Sequence, residues 1–196
     1  MNKIAFFDFD GTITKGDTLA LFIKYYVGSF NYYLSLFALS PIIIAFKLKI
    51  LNNSKAKKIV LRHFFYGVHE DEFNDKAKKF SLEEIPKVIR PKALQEIEKF
   101  IGEGTKVVIV SASLENWLKP WCDSLGVELI STKVDFINGY FNGEYVPANC
   151  YGEEKVTRIR ESYNLELFNE IYAYGDSSGD LPMLELANNK FYKPFL

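Results

Sequence analysis

The stretch FFDFDGTITKGDTL, Phe6 to Leu19, decides how the rest of the chain is read. Ile4 to Phe7 is a short apolar run suited to a buried strand, and Gly11 marks the turn that ends it. Asp8 and Asp10 then fall at the carboxyl end of that strand, the edge at which open α/β sheets bind ligands. Alternate strand residues point to opposite faces, so the two carboxylates converge only if the backbone turns beyond Asp8, which Gly11 allows. Carboxylates this close repel unless a cation lies between them, and hard oxygen donors favour Mg²⁺. A pair of solvated turn aspartates is the plainer alternative, and this stretch alone does not choose between the two.

Working outward, Val107 to Val110 is a β-branched run of the kind buried on both faces of a parallel sheet, and it ends at Ser111-Ala112-Ser113. Ile171 to Tyr174 is another, followed by Gly175-Asp176-Ser177-Ser178-Gly179-Asp180 and a helix from Leu181-Pro182. Asp180 suits an N-cap. Asp176 has no such structural role, and a second acidic pair after a second strand is what a metal site begun by Asp8 and Asp10 requires. Gly152 precedes a helix with Val156, Ile159 and Tyr163 on its buried face, which puts Lys155 in the first turn. A cation there opposes the helix dipole at a cost of about 0.3–1 kcal/mol, so Lys155 either pairs with Glu153 or Glu154 or serves another anion.

The connecting segments follow the same pattern. Pro91 opens a helix carrying Leu94, Ile97 and Ile101, which Gly102 and Gly104 end. Leu114, Trp117, Leu118, Trp121 and Leu125 recur at helical spacing and place both tryptophans in the core, with Pro120 predicting a kink or a restart. Leu129 and Ile130 suit a short strand, and Asn138-Gly139 and Asn142-Gly143 predict two hairpin turns in a small β-meander between Val134 and Val146.

Between the first strand and Pro91 the signals are helical. Leu19 to Tyr26 reads as a helix, and Tyr25 to Phe46 contains no charged residue, a length that spans a bilayer. Gly28, Asn31, Ser35, Ser40 and Pro41 interrupt it, and a single crossing would separate Asp8 from the later motifs. The interrupted pattern favours a helical subdomain that buries this face on itself. The alternative is an apolar surface that settles on an anionic membrane beside Lys47, Lys49, Lys55, Lys57, Lys58 and Arg62. Ser54 is a candidate N-cap for a helix with Ala56, Ile59, Val60, His63 and Phe64 as its stripe and Gly67 as its stop, which makes His63 a core-edge residue. His69 reads as a surface residue, a further helix covers Glu70 to Phe80, and Ser81 to Pro91 reads as a return connection. Residues 15–85 are therefore expected to form an all-helical insertion in a core made of residues 1–14 and 86–196.

With 196 residues the chain can bury one sizeable core, and a net charge of −1 gives no electrostatic reason to expect nucleic acid. Cys122 and Cys150 form neither a disulfide framework nor a zinc spacing. No apolar leader precedes Asp8, so a cytoplasmic location is expected.

Taken together, DFDGT at 8–12, VIVSAS at 108–113, Lys155 and GDSSGD at 175–180 stand in the order of the four motifs of the haloacid dehalogenase superfamily. The chain resembles its phosphoserine-phosphatase-like branch (subfamily IB) over its whole length. The resemblance implies an α/β fold with a doubly wound, mostly parallel Rossmann-type sheet and an inserted all-helical cap. It also implies a Mg²⁺-dependent phosphomonoester hydrolase acting on a small phosphorylated metabolite. Asp8 would be the nucleophile and Asp10 the acid and base; Ser111 and Lys155 would hold the phosphoryl oxygens. Mg²⁺ would be bound by Asp8, the Asp10 carbonyl, Asp176 and Asp180. Asp17, Ala112 and Gly179 fall at positions that face substrate, with Arg62 offered as a carboxylate clamp from the cap. Two of these depart from the branch: Asp17 stands where a longer glutamate is expected, and Gly179 where an asparagine is. The alternatives are a lipid-like phosphate taken at a membrane surface, transfer to an acceptor alcohol and, more remotely, a non-catalytic phospho-aspartate signalling module.

Overall fold

The computed structural model describes residues 2–196. Its centre is a six-stranded sheet in the order β4-β3-β2-β1-β5-β6, with β1 Lys3–Phe7, β2 Lys106–Leu114, β3 Glu128–Ile137, β4 Tyr140–Val146, β5 Glu170–Gly175 and β6 Asn189–Tyr192. All neighbours are parallel except β3 and β4. The doubly wound α/β architecture expected from the strand-loop-helix order is present.

The two-residue period of a strand explains how β1 is buried on both sides. Ile4 and Phe6 join Val108, Val110 and Ala173 under Ile159 of α8 (Glu153–Ser162) and Met183 and Leu184 of α9 (Leu181–Leu184). Ala5 and Phe7 face the other way, onto Val107, Ile109 and Tyr174, beneath α6 (Pro91–Gly102) and α7 (Glu115–Leu125). Trp117 and Trp121 are buried there, and α7 runs through Pro120 without a restart.

Between β1 and α6 lie α1 (Thr18–Ala38), α2 (Ser40–Lys47), α3 (Asn53–Phe65), α4 (Glu70–Glu83) and the single-turn α5 (Ile85–Val88). The chain enters and leaves this helical segment side by side: the Lys15 N–H donates to the Val88 carbonyl at 2.9 Å and the Arg90 N–H to the Ile13 carbonyl at 2.8 Å. An aromatic seam joins the segment to the sheet domain. Phe22 stacks on Trp117 at 4.7 Å and meets Phe65, Phe73 and Phe80, while Phe73 stacks on Phe141 of β4.

Several local expectations are corrected. Asn52, not Ser54, caps α3, accepting the Lys55 N–H at 2.9 Å. The buried stripe of α3 is Ala56, Leu61 and Phe65, one residue round from the expected one, which leaves Ile59 and His63 exposed. The residues from Ser81 continue α4 to Glu83 and add α5. Asn138 and Gly139, at φ 52° and 81°, make the expected hairpin turn, but Asn142-Gly143 lies inside β4, so among the described residues Val134 to Val146 forms one hairpin and no meander. The largest correction concerns the uncharged stretch. Gly28 (φ 80°) breaks α1 and Pro41 opens α2, but the apolar face is not buried on itself: Phe30, Leu34, Phe37, Ile44 and Ile50 are exposed. Among the described residues no single helix is long and apolar enough to cross a membrane, and α1 and α2 meet at 61°.

Candidate active site

The loop after β1 is a wide turn, Phe9 to Ile13, closed by the Thr14 N–H donating to the Phe9 carbonyl at 3.0 Å. Gly11 sits in it at φ 83°, and a Cβ there would lie 2.5 Å from Oδ2 of Asp176, so glycine is needed both for the turn and for the approach of the loop after β5. This turn brings Asp8 and Asp10 to the same edge as Asp176 and Asp180.

Lys155 organises the cluster. It is 1% exposed, and its Nζ donates to Asp8 Oδ1 at 2.6 Å, Asp180 Oδ1 at 2.7 Å and the Val110 carbonyl at 2.8 Å. Glu154 pairs instead with Arg158 at 2.8 Å, so Lys155 does serve the other anions. Thr12 Oγ1 lies 3.1 Å from Asp8 Oδ2 and 3.2 Å from Asp176 Oδ1, bridging the two loops. Asp180 precedes α9 but does not cap it: its carboxylate turns inward and accepts from Lys155, from the Asp176 and Ser177 N–H groups and from the Ser177 hydroxyl. Asp10 accepts the Thr18 N–H at 2.7 Å and the Ser113 hydroxyl at 2.5 Å.

Burial in low dielectric dominates the electrostatics. It pushes the Asp8 carboxyl up to about 7, the Lys155 charge offsetting only part of the effect and the Asp180 charge adding to it. Burial, then the Asp17 charge, raise Asp10 to about 6 against the hydrogen bonds from Ser113 and Thr18. Burial likewise raises Asp176. At Asp180 burial is outweighed by Lys155 and Ser177, which hold the carboxyl below its usual range. Burial alone would lower Lys155, but the Asp8 and Asp180 charges hold it above the usual lysine value, so it stays cationic.

The donor set fits a divalent cation. Asp8, Asp176 and Asp180 each offer a carboxylate oxygen within 4.8 Å of the others, and the single charge of Lys155 leaves this group with excess negative charge. Three hard oxygens suit Mg²⁺.

A cavity of about 330 Å³ opens over Asp8 and Asp10 and reaches Asp17, Ala112, Ser113 and Lys155. Ser111 is buried below it, its hydroxyl accepting the Ser113 N–H at 3.0 Å. Asp17 lies at the rim and caps α1, accepting the Leu19 N–H at 2.8 Å. Arg62 is elsewhere: it pairs with Glu144 at 3.5 Å and packs over Gly143, so the structure does not bring it to the cavity. At Gly179 a Cβ would stand 2.3 Å from the Tyr151 ring, which fills the place a longer side chain would take.

Two site residues escaped the sequence reading. Ser113 meets Asp10, while Ser111, expected at the phosphoryl oxygens, lies two residues earlier in β2 and receives the Ser113 N–H. Lys57 reaches the cavity from α3, donating to the Ala112 carbonyl and lying 3.5 Å from Asn149 Oδ1. Burial lowers its ammonium to about 8, against the Asp10 and Asp17 charges. Its signal was its position four residues before Leu61, on the inward face of the helix.

Fold and site define a Rossmann-type α/β protein with an acidic, lysine-braced site at the carboxyl edge of its parallel strands. The model of the haloacid dehalogenase-like hydrolases matches residues 5–185, and the chain belongs to that family. It is 33% identical over 191 residues to Protein CicA of Caulobacter vibrioides, covering 96% of this chain and 85% of that protein. A histidinol-phosphatase of Neisseria meningitidis is 25% identical over 126 residues, 61% of this chain and 57% of that one. Among solved structures, a protein of unknown function from Bordetella pertussis superposes with a TM-score of 0.84 at 20% identity over 95% of this chain and 87% of that one. A phosphoserine phosphatase in a phospho-aspartyl intermediate analogue form gives 0.69 at 16% identity, over 96% and 85%. At these identities the solved structures establish the fold.

Proposed function

We propose that the protein is a phosphatase: a Mg²⁺-dependent phosphomonoester hydrolase of a small phosphorylated metabolite, working in the cytoplasm through a phosphorylated Asp8. The observation that carries this reading is the pairing of buried Asp8 with Lys155 beside a second carboxyl, Asp10, held by Thr18 and Ser113. An Asp8 oxygen attacks phosphorus while the bond to the leaving oxygen breaks, and Asp10 gives that oxygen its proton. In the second step Asp10 takes a proton from water, whose oxygen attacks the phosphoryl group and returns the Asp8 carboxylate. An acid with a pKa raised to about 6 is suited to both roles near neutral pH. Lys155 stays charged throughout and keeps the Asp8 oxygen oriented. Mg²⁺, held by Asp8, Asp176 and Asp180 with the Asp10 carbonyl, would supply neutralisation of the phosphoryl charge.

Phosphoserine itself is poorly supported as the substrate. Arg62 is tied to Glu144 and Tyr151 covers Gly179, so neither meets a phosphoamino acid here, and Asp17, though it lines the cavity, gives one carboxylate oxygen to the cap of α1. Lys57 is the cationic group that the helical segment contributes to the cavity, which favours a substrate with a second anionic or carbonyl group. Leu19 and Phe46 also line the cavity and favour, as a second reading, an amphiphilic phosphate. Hydrolysis of phosphorylated metabolites and lysophospholipids with Mg²⁺, compared between wild type and Asp8→Asn, tests the proposal. Wild type should release phosphate and Asp8→Asn should not; equal release of phosphate from an aryl phosphate by both would refute the role of Asp8. A stable phosphoenzyme without turnover would point to a signalling module, and phosphate found on an added alcohol to transfer.

A further inference from the structure

We propose that the arm formed by the outer half of α1 and by α2 docks the protein on an anionic lipid bilayer, lying in its interface. Beyond Gly28, Phe30, Tyr33, Leu34 and Phe37 recur at three- and four-residue spacing, so they share one helix face, and none of the described residues covers that face. Phe30 and Phe37 are each 80% exposed, and beyond the bend Ile44, Leu48 and Ile50 are exposed too. Scattered exposed apolar residues need no explanation, but a contiguous group of large ones does.

Charge identifies the occupant. From Thr18 to His69 there is no aspartate or glutamate, while the same segment holds Lys24, Lys47, Lys49, Lys55, Lys57, Lys58 and Arg62. The chain as a whole carries a net charge of −1, so this segment is at +7 and the rest of the chain at −8; its basic residues are about as dense as elsewhere, and the asymmetry comes from the absence of acidic ones. Lys58 and Arg62 pair with Glu144 and Lys57 turns into the cavity, but Lys47, Lys49 and Lys55 are exposed and follow the apolar face directly. An apolar face that buries in the acyl boundary, next to lysines that meet headgroup phosphates, is the composition of an interfacial helix. Another protein surface would have to be both apolar and acidic to match it. The geometry also argues for lying on the bilayer instead of crossing it: ten residues of helix from Ser29 to Ala38 span about 15 Å, half a hydrocarbon core, before the 61° bend. Phe46 belongs both to α2 and to the cavity wall, so docking would set the mouth of the site at the lipid surface.

The docking reading stands apart from the phosphatase reading and is tested without catalysis. The full chain is floated with vesicles of phosphatidylcholine alone and of phosphatidylcholine mixed with phosphatidylglycerol. It should rise with the mixed vesicles and be released by high salt. Phe30→Ser/Leu34→Ser/Phe37→Ser should lose about tenfold or more in vesicle partition. Lys47→Gln/Lys49→Gln should lose about tenfold on the mixed vesicles only. Both variants should keep the wild-type thermal transition, since the altered side chains are exposed. Failure to float on mixed vesicles overturns the proposal. So does a dimer, by sedimentation, that the triple serine variant dissolves, which would make a second copy the occupant. Retention through carbonate extraction would overturn the interfacial geometry in favour of insertion.

Discussion

Removing the amine of Lys155 while keeping its length, Lys155→Met, should separate the structural from the chemical content of the site. The ammonium is 1% exposed and makes three short hydrogen bonds, two of them to the carboxylates of Asp8 and Asp180. Without it both carboxylates and the Val110 carbonyl lose a buried donor, and breaking a buried ion pair from one side costs about 3–5 kcal/mol. For a chain of this length that corresponds to a fall of roughly 10 °C in the thermal midpoint. Asp8→Asn should behave in the opposite way. Its amide oxygen still accepts from Lys155, its amide nitrogen can donate to Thr12 Oγ1, and Thr12 can donate to Asp176. Because burial raises the Asp8 carboxyl to about 7, the metal-free wild type carries a penalty for ionising it. The sign follows from linkage: a carboxyl raised from 3.8 to about 7 on folding stabilises below pH ~4, and that contribution is lost as pH rises through 7. Asn has no such dependence, so the stability of Asp8→Asn should equal or exceed that of wild type at and above pH 7, with the difference shrinking toward pH 4. Urea unfolding with a chelator present measures both variants. A loss under about 1 kcal/mol in Lys155→Met, or equal losses in the two variants, would refute this account of the site.

Two other substitutions probe the cavity. Lys57, lowered to about 8 by burial, loses its charge above that pH, where an ordinary lysine would keep it to about 10.5; kcat/KM for an anionic substrate should therefore fall above pH 8, and Lys57→Gln should flatten that limb. A limb that survives in the variant would assign it to another group. Gly179→Asn pushes against the outer atoms of the exposed Tyr151 ring, which can swing away, so stability should change by less than about 1 kcal/mol while KM shifts; steady-state kinetics with a chemical melt checks both, and a large loss of stability would show that the ring is fixed.

The sheet and most of the chemical groups were legible because their signals are local. Apolar runs ending in Asp8, in Ser111 and in Asp176 mark parallel strands whose carboxyl ends share an edge, and topology then gathers their loops. A lysine in the unfavourable first turn of α8 likewise signalled a distant anion. What the sequence could not express was the direction in which groups turn once packed. Asp180 can cap a helix or face Lys155, and the buried ammonium decides for the second. Ser111 and Ser113 have the same strand phase, so the pattern does not say which of them meets Asp10, and only the packed loop after β1 brings Asp10 to Ser113. On α3 a one-residue rotation of the stripe exposes His63 and carries Lys57 into the cavity, because the aromatic seam around Phe65 sets the helix phase. The outer half of α1 shows the same limit most plainly. Its composition determines that the face is apolar, but only the tertiary structure decides that no other described residue covers it, since burial depends on what arrives from far along the sequence.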